Sequence, residues 1–97
     1  MYRISPKVYD ELAALLRDRI GDGSYYAGRV ECLDGDVQVE LRTTLIIYRH
    51  DDRRPDGCVN LIDDTVPVWW ECHTLCGAGE FLNDFDFAEI RDRLKES

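Results

Sequence analysis

The run Tyr25-Tyr26-Ala27-Gly28-Arg29-Val30-Glu31-Cys32-Leu33-Asp34-Gly35-Asp36-Val37-Gln38-Val39-Glu40-Leu41-Arg42-Thr43-Thr44-Leu45-Ile46-Ile47-Tyr48 decides the fold. Apolar and polar residues alternate on both sides of Asp34-Gly35, the pair favoured in type I′ hairpin turns. A two-residue loop there sets Leu33 opposite Asp36, Cys32 opposite Val37, Val30 opposite Val39, Gly28 opposite Leu41 and Tyr26 opposite Thr43. That face is apolar and reads as core. The other face sets Glu31 against Gln38, Arg29 against Glu40, Ala27 against Arg42 and Tyr25 against Thr44. Opposite charges at Arg29 and Glu40 support the register. The second strand continues to Tyr48, with Leu45 and Ile47 inward and Ile46 and Tyr48 outward.

Upstream, Ser5 has the chemistry of an N-cap and Pro6 that of a first helical residue, where a missing N–H costs nothing. Val8, Leu12, Leu15, Leu16 and Ile20 then recur at spacings of three and four, and Gly21 suits the position after a helix. Downstream, His50-Asp51-Asp52-Arg53-Arg54-Pro55-Asp56-Gly57 reads as a polar loop. Residues 58–62 read as a third strand. The run Val66-Pro67-Val68-Trp69-Trp70-Glu71-Cys72-His73 reads as its continuation or as a fourth strand, with Pro67 at an edge or a bulge. In that run Val66, Val68, Trp70 and Cys72 share the inward face, and Trp69, Glu71 and His73 the outward one. Gly77-Ala78-Gly79 reads as a turn. Asp86 and Glu89 have capping-box spacing for a closing helix whose stripe is Phe87, Ile90, Arg91 and Leu94, with Phe81, Leu82 and Phe85 packed at its entrance.

The order α-β-β-β(-β)-α predicts an α+β domain: an antiparallel three- to four-stranded sheet with the N- and C-terminal helices on one face. Its 97 residues fit one domain, 1–97, with a folded surface of about 5,700 Å². Hydrophobic content of 44% is too high for a disordered chain. A net charge of −8 repels phosphates and anionic lipid, so direct nucleic-acid or membrane binding is not expected. The opening Met1-Tyr2-Arg3-Ile4-Ser5-Pro6-Lys7 offers no apolar signal core, and no stretch is long and apolar enough to span a bilayer. The expectation is a cytoplasmic protein with its four cysteines reduced.

Four constellations bear on function. Cys58, Cys72, His73 and Cys76 supply soft ligands suited to zinc, but Cys72 and His73 point to opposite faces of a strand and no Cys-x-x-Cys pair occurs. A small apolar role in packing is the better reading of the cysteines. Cys76 lies three residues after His73, yet Glu71, Glu80 and Asp84 would raise a nucleophilic thiol's pKa, so no enzyme is expected. Asp51-Asp52, Asp63-Asp64 and Asp84-Asp86 lack the alternation of a calcium loop, and no cofactor is implied. Finally, Tyr25, Thr44, Ile46, Tyr48 and Trp69 share outward parity, with His73 a further candidate, opposite a complete core face. Aromatic residues grouped in this way point to an interface.

The runs Val66-Pro67-Val68-Trp69-Trp70-Glu71 and Leu82-Asn83-Asp84-Phe85-Asp86-Phe87 resemble a small bacterial family of unknown function linked to mobile elements. The resemblance covers the C-terminal third and residues 45–48, and it implies no activity. The element order is also similar to that of the double-stranded-RNA-binding domain. Its basic cluster at the last helix is replaced here by Asp84, Asp86 and Glu89, so no RNA-contacting residue is carried over. The function expected is a protein-interaction module that binds a partner or a second copy through Tyr25, Ile46, Tyr48 and Trp69. The alternatives are an acidic DNA mimic, favoured by charge alone, and a zinc domain on the Cys/His set.

Overall fold

Ser5 accepts a hydrogen bond from the Val8 N–H at 3.3 Å and opens helix α1 (Pro6–Ile20). Gly21, at φ 54°, ends it by returning its N–H to the Arg17 carbonyl at 3.2 Å. In the computed structural model, which describes residues 1–77 and 79–96, α1 is followed by β1 (Tyr25–Asp34), β2 (Val37–Arg54), β3 (Gly57–Cys76), β4 (Gly79–Phe81) and α2 (Phe87–Leu94). The strands form one antiparallel sheet in the order β1-β2-β3-β4, with both helices on one face, as the α+β reading expects.

The β1–β2 register differs from the expected one by two residues. Asp34 pairs with Val37, so the loop is Gly35-Asp36, and only Gly35 takes a positive φ, 62°. This is the type II′ pattern; the expected I′ turn would force Asp34 into a left-handed conformation that an L side chain resists. A shift of two preserves parity, so Cys32, Val30, Gly28 and Tyr26 still face inward, now opposite Val39, Leu41, Thr43 and Leu45. The expected Arg29–Glu40 pairing is replaced by Arg29 opposite Arg42 and Glu31 opposite Glu40.

The expected polar loop at residues 50–57 is strand. β2 extends to Arg54, a two-residue turn at Pro55-Asp56 reverses the chain, and β3 runs unbroken for 20 residues, so Val66-to-His73 is its continuation. The fourth strand is instead the short β4. It takes in Gly79 of the expected turn, whose Ala78 lies outside the described residues. Residues 49–54 and 57–62 form a two-stranded ribbon whose outer half is mostly exposed. The molecule measures 53 × 23 × 18 Å, and its radius of gyration is 14.8 Å. A domain this long in sequence packs to about 12.5 Å when isometric. The base of the ribbon is tied down: Arg49 donates to the carbonyls of Gly23 and Gly21 at 2.9 and 2.7 Å, and Glu96 bonds the Ile62 N–H and C=O.

Two bulges interrupt the β2–β3 ladder, leaving Val68 and Asp63 as extra residues on β3. Each switches strand parity. Trp70 and Cys72 face the helices as expected, but Val66, paired with Ile46, is on the opposite face, and Val68 is exposed at the bulge. Trp70 tilts against Phe85 at 5.1 Å between ring centroids, and Phe85 meets Tyr9 of α1 at 5.5 Å. Asp86 caps α2 by accepting from the Ala88 N–H at 3.0 Å. Phe87, Ile90 and Leu94 are buried, whereas Arg91 forms a two-point ion pair with Asp64 whose hydrogen bonds hold that carboxyl below the usual range. Phe81 and Leu82, expected to pack at the helix entrance, are exposed, and so is Leu15, expected in the core.

Leu12, Leu16, Leu41, Leu45, Ile90 and Leu94 are fully buried between helices and sheet, with Thr43, Thr65 and Thr74 among them. Thr43 and Thr74 donate to the carbonyls of Trp69 and Phe81 at 2.8 and 2.6 Å, whereas the Thr65 hydroxyl meets no partner among the described residues. Burying an unpaired hydroxyl costs free energy that an isosteric methyl does not. Thr65→Val is therefore expected to raise unfolding free energy by about 1 kcal/mol, and Thr74→Val to lower it by about as much. Urea titrations of the two variants check this; a destabilised Thr65→Val would contradict the unpaired hydroxyl.

Candidate functional site

With both helices on one face, the other face of the sheet is left without a covering layer among the described residues. The ladder arranges its side chains in rows. Tyr25, Ile46 and Val66 lie side by side across β1, β2 and β3; Ala27, Thr44 and Trp69 form the next row, and Tyr48 sits opposite Asp64. Tyr25 is 60% exposed, Tyr48 54% and Trp69 46%, while Ile46, Thr44 and Val66 between them are half-buried. All four expected interface residues, Tyr25, Ile46, Tyr48 and Trp69, are thus brought to one open surface. Val66 reaches it through a bulge that Pro67 hinted at but no alternation pattern could place. Leu33, opposite Gln38 and exposed, lies on the same face.

Toward the Gly35-Asp36 turn the same face becomes charged. Glu40 is buried there, its carboxylate accepting from Arg42 Nε at 2.6 Å and Arg29 Nη1 at 3.4 Å. Its row continues to His73, whose Nδ1 meets Glu80 and whose Nε2 meets Glu71 at 3.2 Å. Hydrogen bonds from the ring to these two carboxylates, Glu80 first and then Glu71, raise the imidazole pKa above its usual value. Where the zones meet, a shallow depression of about 460 Å³ is lined by Ala27, Gly28, Arg29, Arg42, Thr44 and Trp69. An aromatic ring and two guanidinium groups therefore flank one recess.

The other candidate residues are dispersed. Cys58 lies near the tip of the ribbon, Cys72 under the helices and His73 on the open face. Among the described residues no three His, Cys, Asp or Glu side chains converge as a metal site would require. Burial pushes the Cys72 thiol up to about 12; burial, then Glu11 and Asp34, push that of Cys32 up to about 11. Both stay protonated and behave as small apolar groups near neutral pH. No helix of the described residues is long and apolar enough to cross a membrane. The chain matches no known protein family, no curated protein and no solved structure.

Proposed function

We propose that this protein is an interaction module whose open sheet face docks a protein partner. The reading is supported above all by the exposure of Tyr25, Tyr48 and Trp69 on one face of a hydrogen-bonded sheet. Large rings held by a ladder lose little conformational freedom on binding, which is why Trp and Tyr dominate interface energetics. The zoning of the face favours a partner that sets aliphatic or aromatic side chains against Trp69 and Tyr48 and brings a carboxylate to Arg42 across the recess. An acidic nucleic-acid mimic would array carboxylates over one surface, whereas here Arg29 and Arg42 interrupt the acids of the open face.

Peptides selected from a random library against the immobilised protein test this. Trp69→Ala combined with Tyr48→Ala is expected to weaken the selected peptides at least about thirtyfold, as loss of an aromatic anchor does, with the far-ultraviolet spectrum unchanged. Equal affinity for the folded double variant would overturn the reading.

A further inference from the structure

β1 is an edge strand with no proline or bulge over its 10 residues, a form that proteins otherwise avoid leaving open. Its phase follows from the hairpin. A two-residue loop closes on a hydrogen-bonded pair, Asp34 with Val37, so even-numbered residues bond β2. The 2.9 Å bond from the Ile47 N–H to the Ser24 carbonyl keeps that phase. Ala27, Arg29, Glu31 and Leu33 thus direct their N–H and C=O groups away from the sheet. Two exposed apolar side chains flank this edge: Leu33, 71% exposed, on the open face, and Leu15 of α1, 36% exposed, which with Arg19, Arg29, Val30 and Glu31 lines a groove on the helix side.

We infer that a second copy of this chain occupies the edge, β1 pairing antiparallel with β1 of its partner about a two-fold axis through Val30. Hydrogen-bond phase requires odd residues to face odd ones, and charge selects among the registers that remain. An axis at Arg29 or at Glu31 sets like charges against each other. The axis at Val30 sets Arg29 opposite Glu31 of the second copy, twice by symmetry. The same register brings Leu33 of one copy beside Ala27 of the other, extending the Trp69–Thr44–Ala27 row across the axis. On the helix side it gathers Val30 and Leu15 from both copies. The product is a continuous eight-stranded sheet with a doubled aromatic face. This inference does not depend on what docks there.

Sedimentation of the full chain in 0.15 M salt, where the screening length is about 8 Å, tests it. The wild type is expected to dimerise in the micromolar range. R29E and E31R alone should each weaken the dimer at least about tenfold, and R29E/E31R should restore it, since the reversed pair is again complementary. Urea unfolding midpoints of the single variants close to that of the wild type show that they lose pairing rather than fold. Amide exchange gives a second readout: protection of the Ala27, Arg29, Glu31 and Leu33 N–H groups should rise with concentration, while Val30 and Cys32 stay protected throughout. A wild type that is monomeric at hundreds of micromolar, or a dimer indifferent to the single reversals, would overturn the inference. So would a double variant as weak as the single ones. Loss of the dimer in Trp69→Ala with the charge variants unaffected would move self-association to the open face instead.

Discussion

Leu45→Ala should lower the unfolding free energy by about 3 kcal/mol, with a fall in melting temperature of roughly 15 °C. Leu45 is fully buried, pairs with Tyr26 on one side and Pro67 on the other, and belongs to the core shared by both helices. Truncation removes its transfer free energy and leaves a cavity that the surrounding core side chains fill only in part. The loss is a large part of the roughly 5–15 kcal/mol available to a domain. Val68→Ala is the informative control. Alternation alone puts Val68 in the core, whereas the bulge leaves it exposed, so the expected change is within about 0.5 kcal/mol. Urea titration of both variants decides it: similar losses at the two sites would mean that the bulge is misplaced.

The other large effect is chemical. Cys72 in the native protein should alkylate at pH 8 on the order of a thousandfold more slowly than in the urea-unfolded chain, since its pKa rises from the ordinary thiol value of 9.0 to about 12. Attack proceeds through the thiolate, and each pKa unit above ambient pH removes about nine-tenths of it. Cys32, raised to about 11 by burial and then by Glu11 and Asp34, should be slowed by about a hundredfold. Site-resolved mass spectrometry after timed iodoacetamide exposure measures both. Native labelling of Cys72 within tenfold of the unfolded rate would show that its thiol is not held in an apolar setting.

Much of the sheet's side-chain sorting was legible because strand parity survives errors of two. The hairpin register lies two residues from the expected one, yet Val30, Cys32, Val39 and Leu41 face the helices, and Tyr25, Ile46 and Tyr48 face away. The β3 faces were legible only in part. Bulges count residues differently on the two strands, and nothing local to Val68 or Asp63 announces an unpaired position beyond the neighbouring Pro67. Polar composition likewise misled at residues 50–57, because a ribbon exposed on both sides has no reason to alternate. Leu15 looked like core because its helical spacing is right. It is exposed because it lies beside Arg29, Val30 and Glu31 of β1, the strand at the edge of the sheet.

By itself the amino-acid order determined the two helices with their Ser5 and Asp86 caps, the hairpin, the α+β class and the outward set Tyr25, Ile46, Tyr48 and Trp69. These depend on local spacing and on short-range hydrogen bonds, which a chain carries with it. The tertiary structure alone decided that β2 and β3 run on as an arm, that two bulges switch the faces of β3, and that β1 ends the sheet with its outward amides turned away from β2. Those outcomes depend on which surfaces remain once every element has buried its apolar side, a property of the packed whole.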